Sequence, residues 1–254
     1  MSARLSFADF LESAPGKQLL AWENEAVSRI VEDVFGHTAL QVGCPKFNAL
    51  AANRMQSKWL VTDDESAAAN SEQDDRRRIL AEADALPIAA ESIDLVILAH
   101  ALDFSASPQL VLREAARVLE PEGRLVLTAF NPLGLWWLRQ RFVSLGAHPY
   151  LPTRTMPISV FRLRDWFALL GLEIDIGRFG IYSPGLRAEK RLRRWAWLDK
   201  AGDRWAPQFS NLYLLSAVKR RPGTRLIHFS SVKKHKQLPA GSLPAASSSS
   251  LPEN

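Results

Sequence analysis

Residues 91–132 read ESIDLVILAHALDFSASPQLVLREAARVLEPEGRLVLTAFNP. Ile93 to Ala99 is a short, almost unbroken apolar run rich in branched side chains. Such a run suits a strand buried on both faces, as in a parallel sheet. Ser107-Pro108 then has the form of a helix start, with Ser107 at the N-cap and Pro108 in the first turn. Leu110, Leu112, Ala115, Ala116, Val118 and Leu119 give that helix a wide apolar face. Arg113, Glu114 and Arg117 fall on its polar side, which is expected to face solvent. Pro121-Glu122-Gly123 ends the helix, and Gly123 is expected to supply the left-handed turn conformation. Arg124 to Phe130 is a second buried strand, so the whole stretch predicts one right-handed strand–helix–strand unit.

The stretches SIDLVILAHAL and SPQLVLREAARVLEPEGRLVLTAFNP resemble the central segment of class I S-adenosylmethionine-dependent methyltransferases, small-molecule branch. Within that family the chain is also similar to a narrower group of bacterial methyltransferase-like proteins with the FNP ending. The match is close over this stretch and looser over residues 40–218. The resemblance implies an α/β, Rossmann-like fold: a seven-stranded, mostly parallel sheet with an antiparallel edge strand and helices on both faces. It also implies S-adenosyl-L-methionine as cofactor, held at the carboxyl ends of strands one to four.

The chain in order is consistent with that layout. Residues 1–38 form a helical cap, broken at Pro15-Gly16, with Leu19, Leu20, Ala26, Val27, Ile30, Val31 and Val34 at helical spacing. Trp22 is either a lid over the cofactor or a buried anchor. Residues 39–219 form the methyltransferase-like domain, with a proline-rich lid near 133–165 and a basic, tryptophan-rich insertion near 184–208. Ala39–Val42, Trp59–Thr62 and Arg78–Ala81 read as the first three strands, and Leu172–Tyr182 and Asn211–Lys219 as the last two. The alternation in the last suits the antiparallel edge strand. Ser159–Leu170 is a helix ahead of strand six.

Carried onto this sequence, the family pattern implies a cofactor set of Gly43, Cys44, Asp63, Glu82, Ala83, Asp84, Leu86, Ala99 and His100. Gly43 matches the first position of the glycine-rich turn, where the backbone must approach the ligand closely. Pro45 and Phe47 occupy the later glycine positions; Pro45 removes an N–H, and Phe47 could narrow the pocket. Asp63, with Asp64 behind it, is placed to grip ribose hydroxyls through paired hydrogen bonds; a solvated acidic turn is the alternative. Glu82 or Asp84, ahead of Leu86-Pro87, is the candidate for the adenine amine, against a plain surface loop. His100 is the one catalytic candidate, as a cavity wall or a general base, with a structural histidine as the alternative. Asp103 and Phe104 are further candidates for the cavity wall. Methyl transfer depends mainly on in-line positioning, so no catalytic side chain is obligatory.

Composition narrows the classes. The net charge is +5, but from Lys219 onward seven Lys or Arg face one acid, so residues 1–218 carry −1. The basic character therefore belongs to the tail rather than to the domain. No run of about 18 apolar residues occurs, which excludes a spanning helix. MSARLSFADF lacks the apolar centre of a signal peptide, and a cytoplasmic protein is expected. Cys44, the single cysteine, permits neither an internal disulfide nor an all-cysteine metal site, and no metal is expected.

Three functions remain open at this stage. The first is methyl transfer to a small-molecule or lipid-like acceptor. The second is a binding or regulatory module that keeps the fold without catalysis, suggested by the altered glycine turn. The third is RNA modification, disfavoured because no Asn/Asp-Pro-Pro-aromatic motif occurs. A dehydrogenase is disfavoured by the missing G-x-G-x-x-G turn. Residues 186–205 (LRAEKRLRRWAWLDKAGDRW) and the basic tail 220–254, expected to be disordered, are the candidates for peripheral membrane contact. Nucleic acid is the disfavoured partner.

Overall fold

The computed structural model describes residues 5–64, 74–142, 150–184 and 207–220. The tryptophan-rich insertion and the tail expected at 220–254 fall almost wholly outside these residues. The chain runs through α1 (Phe7–Glu12), α2 (Ala14–Val31), β1 (Thr38–Val42), β2 (Ser57–Thr62), β3 (Arg77–Leu80) and β4 (Ile93–Ala99). It continues through α3 (Ala101–Phe104), α4 (Pro108–Val118), β5 (Leu119–Phe130), α5 (Leu135–Arg141), α6 (Val160–Leu169) and β6 (Leu172–Gly180). A short 3-10 turn (Pro207–Phe209) precedes β7 (Leu212–Lys219).

The strands form one seven-stranded sheet in the order β3-β2-β1-β4-β5-β7-β6. The pairs from β3 across to β5 are parallel, and β7 is antiparallel to both β5 and β6. Antiparallel pairing is therefore confined to one edge. The strand read as alternating, β7, lies inside that edge with β6 outermost, so its first six residues are buried.

The apolar run of β4 is explained by the two cores it joins. Leu95 and Ile97 enter the core beneath α1 and α2, with Phe10, Leu19, Val27 and Ile30. Val96 and Leu98 enter the other, beneath α4 and α6, with Val111, Leu112, Ala115, Leu163 and Phe167. A strand covered on both sides has no solvent face to carry polar residues.

Several local expectations are corrected. The helical break falls at Ser13, which caps α2 by accepting from the Gly16 N–H at 3.3 Å; Pro15 and Gly16 sit inside its first turn. Such a place tolerates proline because its missing N–H would have no intrahelical partner. At the end of α4 the left-handed residue is Glu122 (φ 66), not Gly123. Gly123 is required for space: a Cβ there would lie 2.8 Å from the Glu120 carbonyl oxygen and 3.0 Å from that of Asp94. On the polar side of α4, Arg113 is exposed as expected, but Glu114 and Arg117 are committed. Arg117 donates to the carbonyls of Leu86 and Ile88 and to Glu114, while Glu114 accepts the Leu86 N–H. That fork holds the turn after β3 against the helix and draws Leu86 into the core.

Trp22 is an anchor. It packs against the first core, and its ring lies over Gly180, where an added Cβ would stand 2.0 Å from Cε2. Gly180→Ala should therefore destabilise the protein by about 1–3 kcal/mol through overpacking, measured by urea denaturation. Trp22→Leu placed in the same chain should recover part of that loss.

Candidate active site

The order β3-β2-β1-β4-β5 reverses between β1 and β4, and ligands of open α/β sheets bind outside the strand ends at such a point. A cavity of about 990 Å³ lies there. Its walls come from the turns after β1 (Val42–Lys46), β2 (Val61–Asp64), β3 (Ala81–Asp84) and β4 (Ala99–Ala101). Ser6, Phe7, Ala8 and Leu11 of the amino-terminal segment, Arg78 of β3, Phe104, Ser105 and Ala106 at the end of α3, and Arg154 of the segment before α6 complete it.

Of the nine residues the sequence marked for the cofactor, eight line this cavity: Gly43, Cys44, Asp63, Glu82, Ala83, Asp84, Ala99 and His100. Leu86 does not; it is buried in the second core by the Arg117–Glu114 fork. Gly43 adopts φ 81, and a Cβ there would lie 2.8 Å from the Ala99 carbonyl oxygen. Both facts require glycine. Asp63 and Glu82 are exposed at the ends of β2 and β3, as acceptors for ligand hydroxyl and amine groups would need to be.

The turn after β1 is built in a way the sequence reading missed. Phe47 does not narrow the cavity: it is buried in the first core. The turn's carbonyls point inward to two polar side chains. Gln41, the next-to-last residue of β1, donates through Nε2 to the carbonyls of Gly43, Cys44 and Phe47 at 3.1, 3.1 and 2.7 Å. Its Oε1 accepts the Ala49 N–H and Arg76 Nη1. Arg76 donates to the Phe47 and Pro45 carbonyls at 2.9 and 3.0 Å, and to Asp74 through Nε and Nη2. A buried polar side chain is tolerated when its hydrogen bonds are made. Gln41 was visible as a lone polar residue in an apolar strand; Arg76, in a charged run, gave no such signal.

His100 sits in the left-handed region (φ 55) and is wholly buried. Its Nδ1 lies 2.7 Å from Asp103 Oδ2, which also accepts the Phe130 N–H at 3.0 Å. Its Nε2 lies 2.8 Å from Glu23 Oε1 of α2, a charge contact out of hydrogen-bond alignment. Phe7 meets the ring edge-on at 5.2 Å and Phe130 stacks at 4.6 Å with tilted planes. Burial works against the charged ring, but the Glu23 and Asp103 carboxylates outweigh it and push His100 up to about 10. Both ring nitrogens are thus committed to carboxylates and the ring is cationic near neutrality. A general base needs a free nitrogen within reach of the substrate, so this geometry makes His100 a clamp between α2 and the end of β4. Burial raises the carboxyl of Asp103 as well. Phe104 lines the cavity, whereas Asp103 faces His100 and the β5 backbone.

The comparisons with known proteins fit this geometry. Residues 40–127 match the family model described as a methyltransferase domain. Over 89 residues the chain is 37% identical to the uncharacterized protein YafS of Escherichia coli (strain K12), covering 35% of this chain and 36% of YafS. The aligned stretch therefore spans about a third of that relative's length. Among solved structures, the chain is similar to a complex of the Haloferax volcanii Trm112 methyltransferase activator with its putative methyltransferase. The TM-score is 0.58 at 15% identity, over 83% of this chain and 94% of that one. It is equally similar to a Thermotoga maritima S-adenosylmethionine-dependent methyltransferase described as a possible histamine N-methyltransferase. There the TM-score is 0.58 at 14% identity, over 80% and 89% of the two chains.

Two outcomes test the geometry. Arg76→Ala should cost about 1–3 kcal/mol, because the Pro45 carbonyl loses its donor while Asp74 keeps Arg78 and the Phe47 carbonyl keeps Gln41. Arg76 and Arg78 hold Asp74 well below its ordinary value of 3.8, so that contribution is present above this value and fades as pH falls below it. His100 behaves oppositely. Its folded value of about 10 exceeds the ordinary 6.5, so its contribution is complete below pH 6.5 and is lost as pH rises toward 10. Urea midpoints should decline over that range, and Glu23→Gln should flatten the decline. Residues 40–127 thus match a methyltransferase-domain model, and the chain has the Rossmann-like fold of the solved methyltransferases it resembles, with its cavity at the β1/β4 reversal of the sheet.

Proposed function

We propose that the protein is an S-adenosylmethionine-dependent methyltransferase acting on a small-molecule or lipid-like acceptor. The observation that carries this reading is the cavity's charge and shape around Gly43. At about 990 Å³ it stands at the upper end of the 300–1,000 Å³ usual for ligand pockets. That is room for a nucleoside cofactor together with a small acceptor.

The residues present fit the cofactor. The bare Cα of Gly43 leaves space for close approach. Asp63, with Asp64 beside it, is placed to accept from ribose hydroxyls at the end of β2. Glu82 and Asp84 are placed for the adenine amine at the end of β3, with Ala83 and Ala99 as small apolar contacts. Bound there, S-adenosylmethionine would supply an electrophilic methyl carbon on a cationic sulfur.

The chain's part is to orient and to exclude water. Phe7, Leu11 and Phe104 form an apolar wall beside the β4 turn, which lowers the dielectric around a charged ligand and so strengthens electrostatic contacts. His100 and its two carboxylates hold that turn still. An acceptor held in line with the methyl group reacts by proximity, and its proton leaves with solvent or with a basic group of its own. The departure at Pro45 does not disable the turn, because Gln41 and Arg76 organise its carbonyls without the missing glycines.

Calorimetric titration with S-adenosylmethionine and S-adenosylhomocysteine should give micromolar affinity. Asp63→Ala should weaken it at least tenfold while keeping the wild-type fold by circular dichroism. Folded wild-type protein that binds neither ligand would overturn the reading.

A further inference from the structure

Apart from His100, held between two carboxylates, three basic side chains line the cavity: Lys46, Arg78 and Arg154. Two are committed to carboxylates. Lys46 Nζ lies 2.8 Å from Glu12 Oε1, and Arg78 Nη2 lies 2.9 Å from Asp74 Oδ2. Arg154 makes no side-chain ion pair or hydrogen bond among the described residues.

The backbone holds Arg154 in this position at some cost. Its φ is 80, a conformation that suits glycine and strains any residue with a Cβ. Both flanks are tied down. The Thr153 N–H donates to the Leu5 carbonyl at 2.9 Å, just before α1, and the Met156 N–H donates to the Asp103 carbonyl at 2.7 Å, in α3. Thr155 closes the turn by donating to the Pro152 carbonyl through its N–H and its hydroxyl. A strained residue persists where the surrounding structure over-determines it, and such residues cluster at ligand sites.

Charge is segregated around the cavity. Asp63, Asp64, Glu82 and Asp84 all belong to the turns after β2 and β3. That region accepts hydroxyls and amines and repels anions. The arginine instead belongs to the segment tied to the start of α1 and to α3.

We infer that Arg154 is the anion-binding residue of this cavity, taking a carboxylate or phosphate carried by the bound ligand. A guanidinium pairs with such groups through two parallel hydrogen bonds. The anion has two candidate carriers: the amino-acid end of the cofactor, which rests on the function proposed above, or an acidic acceptor, which does not.

The test uses the full chain as wild type, Arg154→Gly and Arg154→Lys. Glycine relieves the strain while removing the charge, so Arg154→Gly should melt no lower than wild type. Each protein is titrated with S-adenosylhomocysteine and with methylthioadenosine, which keeps the nucleoside and sulfur but lacks the amino-acid end. Inorganic phosphate is then titrated by thermal shift, with and without S-adenosylhomocysteine. A loss of tenfold or more for S-adenosylhomocysteine in Arg154→Gly, with methylthioadenosine within twofold, assigns the anion to the cofactor. Unchanged S-adenosylhomocysteine binding with loss of phosphate stabilisation assigns it to the acceptor. In either case Arg154→Lys should fall between the two. Unchanged cofactor binding with phosphate stabilising both proteins or neither overturns the inference. So does an equal loss for methylthioadenosine, which marks a structural role. Wild-type protein that binds neither adenosyl ligand defeats the cofactor reading, and the phosphate comparison then still decides Arg154.

Discussion

The cavity depends on one local constraint, the inward turning of the carbonyl groups that follow β1. A chain leaving the middle of a parallel sheet must bend sharply, and its backbone acceptors then need partners. In this molecule Gln41 meets that need from within the strand itself, and Arg76 meets it from just before β3. With the carbonyls held behind the turn, Gly43 can lie against Ala99 and leave the front of the turn open to a ligand. The arrangement replaces backbone freedom with side-chain hydrogen bonding, which is how proline and phenylalanine stand where a glycine-rich turn would be expected.

A second buried cluster ties the amino-terminal helices to the same place. Glu23 of α2, His100 after β4 and Asp103 of α3 put one imidazolium between two carboxylates at 0% side-chain exposure. Burying charges is costly unless they are paired, so the helices cannot slide over the sheet without separating them. The first turn of α1 thereby becomes a fixed wall of the cavity, with Phe7 against the His100 ring. The amino-terminal cap is thus a structural part of the site. His100, a catalytic candidate in the sequence with a structural histidine as the alternative, has both ring nitrogens facing carboxylates.

Much of the fold was legible because periodicity reports burial directly. The apolar run at Ile93–Ala99 matches β4 residue for residue, and Ser107-Pro108 and Ser159 mark the starts of their helices. The strand ends after β1 to β4 were legible too, since a family pattern fixes the spacing between them, and eight of the nine residues it pointed to share one cavity. Leu86 failed because a side chain's direction in a turn is set by what grips the turn. There the grip comes from Glu114 and Arg117, 28 and 31 residues along the chain. Trp22 resolved as an anchor for a similar reason: Gly180 receives it from another element.

The sequence by itself determined the fold class, the strand–helix–strand centre and the strand ends at which a ligand site must lie. The centre follows from local spacing, which a linear chain displays, and the fold class and strand ends follow from the family resemblance that this stretch carries. Only the tertiary structure decided which polar residues work together. Gln41 with Arg76, Glu23 with His100 and Asp103, and Arg154 with the cavity each join segments far apart in the chain. Their meaning rests on burial, on hydrogen-bond partners and on what their neighbours leave unpaired. Those properties arise only when the sheet has brought the segments together.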